Sequence, residues 1–125
     1  MNGNKIYEMV RNVFRTMGRY HSKEMYKQAL TCELILNGYD NYILNKEFEL
    51  NYKTKVIGQY TFDIFLPNHQ LAISLFIADD KELKMELENF KNKIKLISTT
   101  DIIAETFFVN FDIAGNILVT KVTKI

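Results

Sequence analysis

A chain of 125 residues and 14.7 kDa can bury one sizeable core but not two, so a single domain with a single site is expected over residues 1–125. An apolar fraction of 47%, a charged fraction of 25% and a formal net charge of +1 exclude a disordered chain and provide no overall field steering it to nucleic acid or an anionic membrane. One cysteine, Cys32, excludes an intramolecular disulfide; with no apolar leader in residues 1–5 and no run near the ~18 apolar residues of a membrane span, an intracellular, soluble protein is expected.

Ile6, Val10, Val13, Phe14 and Met17 recur at helical spacing and predict an amphipathic helix over about 4–17, stopped by Gly18. Ser22 is placed to cap a second helix that carries Met25, Tyr26, Ala29, Leu30 and Ile35 as far as Gly38. Within it Cys32, beside Leu30, Leu34 and Ile35, is expected as a small buried core residue. The period then changes to two: Phe48, Leu50 and Tyr52 alternate up to Lys53-Thr54-Lys55, and 56–66 follows, which predicts a hairpin. Pro67-Asn68-His69 turns the chain into an apolar run over 71–78, so the first three strands read as a meander. Leu83, Leu87, Phe90 and Ile94 predict a third helix within 79–97, and 106–111 and 117–122 read as two further strands. No repeat or low-complexity tract interrupts this order, which suggests a mixed α/β layer fold.

The run Gly18-Arg19-Tyr20-His21-Ser22-Lys23-Glu24-Met25-Tyr26-Lys27-Gln28-Ala29-Leu30 resembles the opening motif of the GxxExxY family, which ends YxxAL. Asn51-Tyr52-Lys53, then Ile57-Gly58-Gln59-Tyr60-Thr61-Phe62-Asp63 (similar to IGxYRAD) and Phe107-Phe108-Val109-Asn110-Phe111 (similar to LLINF) continue the resemblance over roughly 17–122. That family belongs to the PD-(D/E)XK nucleases, so the resemblance implies a restriction-endonuclease-like α/β core with two N-terminal helices, a three-strand meander, one helix and two further strands. It also implies a catalytic plan in which a helix Glu, a strand Asp and an ExK on the next strand hold Mg²⁺ and orient a water. In that register Asp63 takes the strand Asp, while Lys23 stands where the helix Glu belongs. Within Ile73-Ser74-Leu75-Phe76-Ile77, Ser74 replaces the second carboxylate and Phe76 the lysine, and the family's QxxxY becomes Glu86 and Phe90.

Mg²⁺ needs oxygen ligands in near-octahedral array, which Asp63 alone supplies poorly, and Lys23 would repel it. Phe76 can neither polarise a phosphoryl group nor assist a water. The leading expectation is therefore a catalytically inactive nuclease-like protein without cofactor, in a structural or interaction role with a protein partner or through self-association. Period two places Thr61, Asp63 and Phe65 on one strand face and Ala72, Ser74 and Phe76 on the facing side of the next, and a lone Asp63 is expected to accept hydrogen bonds or pair with a lysine.

Two rivals stay open. Asp79-Asp80-Lys81 spells D-x-K, so a relocated Mg²⁺-dependent site could combine Asp63 with Asp79 or Asp80, Lys81 and Glu24, although Asp-Asp also suits an ordinary helix start. Lys53 and Lys55 in the hairpin and Lys91, Lys93 and Lys95 on the third helix could contact DNA or RNA phosphates, although their interleaving with Glu82, Glu86 and Glu88 equally describes a solvated face. His21 and His69 lack partners at ligand spacing and are expected as exposed polar residues, so no metal site is assigned to them. Tyr7, Tyr20, Tyr26, Tyr60, Phe62, Phe107, Phe108 and Phe111 are expected in the core.

Overall fold

The first apolar stripe becomes helix α1 (Gly3–Met17) in the computed structural model, which describes residues 3–97 and 103–123. Ile6, Met9, Val10 and Val13 bury one face of α1, and Gly18 ends it at φ 74°, its N–H donating to Phe14 O at 2.8 Å. Helix α2 (Lys23–Leu36) starts at Ser22, whose hydroxyl accepts the Met25 N–H at 3.2 Å, and Gly38 turns the chain away at φ 86°.

Strands β1 (Ile43–Tyr52) and β2 (Lys55–Leu66) form the hairpin, with Lys53 taking the left-handed conformation in its tight turn. After a 3₁₀ turn over Pro67–His69 come β3 (Leu71–Phe76), α3 (Asp80–Lys95), β4 (Glu105–Phe111) and β5 (Ile117–Val122). The sheet order is β1-β2-β3-β4-β5; every neighbouring pair is antiparallel except β3–β4, which the α3 crossover makes parallel. This is the mixed α/β architecture expected, meander included.

The central strands are covered on both sides, so they read as near-continuous apolar runs rather than alternating ones. Phe107, Val109 and Phe111 of β4 pack with α1 and α2, whereas Phe108 packs with Phe62, Phe65, Phe90 and Ile94 under α3. Each such fully buried side chain contributes roughly 1.5–3 kcal/mol of transfer free energy.

Three expectations need correction. Strand β2 does not keep period two: Ile64 packs on the α1/α2 side, while both Phe62 and Phe65 lie on the α3 side. The change falls at Asp63, opposite Asn45, which adopts φ 55°; no Asn45–Asp63 pair forms there, although Leu44↔Ile64 and Lys46↔Phe62 on either side keep one register. Second, Cys32 is exposed, as are Met25 and Ile35, because Tyr26, Leu30 and Leu34 take the core-facing arc of α2. Third, Tyr7 and Tyr20 are exposed rather than core, Tyr60 is only partly buried, and His21 is partly buried with its ring against Tyr26 and Nε2 2.7 Å from Met17 O. Among the described residues no helix is long and apolar enough to cross a membrane.

Candidate functional site

Strands β2 and β3 are paired only from Ile64↔Ile73 to Leu66↔Leu71, and beyond that they splay apart. The opening leaves the Leu75 N–H without a ladder partner from β2, and a buried donor without a partner costs about 1–3 kcal/mol. Asp63, at the root of the splay, satisfies it: its Oδ2 accepts the Leu75 N–H at 2.7 Å. Tyr60 OH and Ser74 Oγ, 3.1 Å apart, bridge the same gap further out. The result is a cavity of about 250 Å³ lined by Lys23, Tyr60, Asp63, Ser74, Phe76, Glu82 and Glu86 among others.

Helix α2 supplies the cations. Lys23 Nζ lies 3.2 Å and Lys27 Nζ 3.4 Å from the same Asp63 Oδ1, one helical turn apart on one face. Lys27 is buried; it also donates to Asn45 Oδ1 at 2.8 Å and pairs with Glu24 at 3.2 Å. Asn45's unusual backbone therefore has a local correlate, since its amide oxygen meets this ammonium group and asparagine tolerates the left-handed region well. Lys27 was missed in the sequence, although a signal existed: it falls between Tyr26 and Leu30 on the core arc of α2, where a charge needs a buried counter-charge.

Opposite, α3 brings Glu82 and Glu86 to the cavity wall at a spacing of four. Burial of the Tyr60 phenol, reinforced by the Asp63 and Glu86 charges and opposed by its bond to Ser74, pushes its pKa up to about 12. The Phe76 ring stacks on Phe108 with centroids 4.3 Å apart and also meets Phe90 edge-on. It is thus packed against the α3-side core.

These donors do not fit a divalent cation. Both Asp63 oxygens are engaged, one by two ammonium groups and one by an amide N–H, and Ser74 and Tyr60 hydrogen-bond each other. Among the described residues no group of three or more His, Cys, Asp and Glu side chains is arranged to hold a metal.

The family model for the PD-(D/E)XK nuclease superfamily matches residues 2–80, well over half of the sequence and the whole stretch from α1 to the start of α3. The chain belongs to the PD-(D/E)XK nuclease superfamily. No curated protein matches it. In this superfamily member Asp63, at the root of the splayed β2–β3 pair, is paired with two lysines of α2.

The other candidate residues lie apart from this cavity. Asp79 caps α3, accepting the N–H groups of Lys81 at 3.0 Å and Glu82 at 2.9 Å. With Asp80 and Lys81 it lines a separate cavity beside Arg19 and Asp112, so the structure does not bring the D-x-K run into the Asp63 cavity. Glu24 is exposed, and hydrogen bonds from Gln28 and Lys27 lower its pKa. Lys91 and Lys95 line a third cavity with Lys121, while Lys53 and Lys55 stand exposed at the hairpin tip.

Proposed function

We propose that this chain is a catalytically silent PD-(D/E)XK protein of the GxxExxY type, retained as a structural or protein-interaction module that needs no metal cofactor. The observation that carries this reading is the pairing of Asp63 with Lys23 and Lys27: two ammonium groups supply about the positive charge a divalent ion would bring, and they come from the helix expected to furnish a carboxylate. Phe76, packed against Phe108 and Phe90, supports the same conclusion, because the position that the resemblance gives to a lysine carries no amine, and the two amines nearby are paired with Asp63.

The test is a cleavage assay on single- and double-stranded DNA and RNA with Mg²⁺ or Mn²⁺, beside Asp63→Ala and Asp79→Ala controls. No cleavage at high protein concentration is expected. Cleavage that either substitution abolishes would overturn the reading. A second reading, nucleic-acid binding without cleavage, draws support from Lys91, Lys95 and Lys121 around one cavity. It predicts an affinity that falls steeply with salt and a shallower slope in Lys91→Glu/Lys95→Glu.

A further inference from the structure

The space between the splayed β2 and β3 is walled by Lys23 from α2 and by Glu82 and Glu86 from α3. Lys23 is paired with Asp63, and Tyr60 with Ser74. Glu82 and Glu86 are different: neither carboxylate has a salt-bridge or hydrogen-bond partner among the described residues. Glu82 is exposed and lies in the first turn of α3, where the helix dipole favours an acid. Glu86 lies one turn further on, is partly buried, and repels Glu82 at the i,i+4 spacing. A carboxylate drawn from water without a cation does nothing for the fold by itself. The same helix carries lysines, yet Lys81, Lys84, Lys91 and Lys95 line other cavities.

We infer that this cavity receives an organic monocation, an alkylammonium or guanidinium group on an apolar stem, of the kind that a lysine or arginine side chain of a protein partner presents. Even with Lys27 behind Asp63, two ammonium groups, Lys23 and Lys27, stand against three carboxylates, Asp63, Glu82 and Glu86, so one negative charge is left over. That excess disfavours a phosphate or any other anion. Burial, followed by the Asp63 and Glu86 charges, opposes ionisation of the Tyr60 phenol, in keeping with a negative field inside the cavity.

The rest of the wall suits an organic cation better than a metal ion. Both Asp63 oxygens are engaged, and no three carboxylates among the described residues are arranged to hold a metal. Tyr60 and Phe76 are each partly buried and offer ring surface, which attracts cations, and Ile77 adds apolar surface for the stem. A hydroxyl oxygen has two acceptor lone pairs, so the Tyr60–Ser74 bond leaves room to accept an N–H from a ligand. At about 250 Å³ the cavity is smaller than the ~300–1,000 Å³ of typical small-molecule sites and matches a side chain rather than a nucleotide. This assignment rests on the metal-free reading of Asp63 and gives the interaction role its chemistry.

Chemical-shift titration of the full chain with butylamine, methylguanidine and a capped Gly-Lys-Gly peptide tests it, with 1-butanol as the uncharged control. The cations are expected to saturate with dissociation constants of about 1–10 mM, to move the Ser74 and Phe76 amide signals, and to weaken as salt rises, while butanol does not saturate. Glu86→Gln should raise the constants about tenfold, and Glu82→Gln less, because Glu82 is the more exposed. Both variants relieve the repulsion within α3, so the unfolding midpoint should not fall and lost binding is not lost folding. A peptide that binds at least as tightly as butylamine supports the protein source; binding of butylamine alone overturns that source and assigns the cavity to a free amine. No saturation below about 50 mM, saturation indifferent to Glu86→Gln, or equal binding of butanol overturns the cation site and leaves the metal-free reading standing. Metal-dependent cleavage that Asp63→Ala abolishes overturns the metal-free reading, whatever the amines do.

Discussion

Replacing Lys27 by methionine removes a buried ammonium group while keeping the length and most of the volume of the side chain. Asp63 then keeps Lys23, whose side chain is 50% exposed, and the Leu75 N–H. Breaking a buried ion pair from one side costs about 3–5 kcal/mol, and because Lys23 remains within 3.2 Å of Asp63 the lower end applies, about 3 kcal/mol. Asn45 adds little, being exposed enough for water to replace Lys27 at its amide oxygen. Asp63→Asn should be similarly costly, since it strands Lys27 with only the exposed Glu24 and Asn45. The double variant removes both buried charges yet keeps an amide oxygen for the Leu75 N–H, so its loss should fall short of the sum by about 2 kcal/mol. Urea unfolding measures all three, with the slope unchanged and the Lys27→Met midpoint lowered by about 1 M or more. A Lys27→Met change below about 0.5 kcal/mol, or simple additivity in the double variant, would refute the argument that this pair holds the site together.

Three further outcomes follow from the same geometry. With its pKa near 12 against an ordinary 10, Tyr60 keeps its proton longer in the folded state than in the unfolded one; its stabilising contribution is full below pH 10 and is lost as pH rises through 12, so Tyr60→Phe should flatten the alkaline fall in stability and remove a tyrosine that ionises near pH 12 from an absorbance titration. Asp79→Ala should cost about 1 kcal/mol through loss of the α3 cap, Asp79→Ser should recover most of it, and Mg²⁺ should stabilise neither, all measurable by thermal unfolding. Asn110, buried in β4, accepts the Ala78 N–H at 2.7 Å and donates to the Ala78 carbonyl at 3.0 Å, so Asn110→Ala should destabilise by about 3 kcal/mol in the same assay.

Elements with a strong period were legible in the sequence. The 4-3-4 spacing of Leu83, Leu87, Phe90 and Ile94 sets the core side of α3, and Ser22 and Gly18 mark helix ends through local hydrogen bonding that tertiary contacts leave intact. Period two failed at Asp63, opposite Asn45, which lies in the left-handed region and accepts a hydrogen bond from Lys27 of a helix eighteen residues away in sequence, features that a local alternation pattern does not carry. Cys32 was misplaced for the same kind of reason, since both faces of α2 are apolar and composition alone does not say which one meets the sheet. Asp63 was visible through the family resemblance, but its second lysine was not, because Lys27 looked like one more surface cation until the fold buried it. Glu82 acquires its place in the cavity wall only from the packing of α3 across the splayed strands.

The pairing of Asp63 with lysines in place of a metal is tested most directly by titrating the full chain with Mn²⁺, following both heat and the loss of the free-ion paramagnetic signal. The wild type should show no saturable binding into the millimolar range, and Asp63→Asn should be indistinguishable from it. Stoichiometric Mn²⁺ binding that disappears in Asp63→Asn would contradict the account.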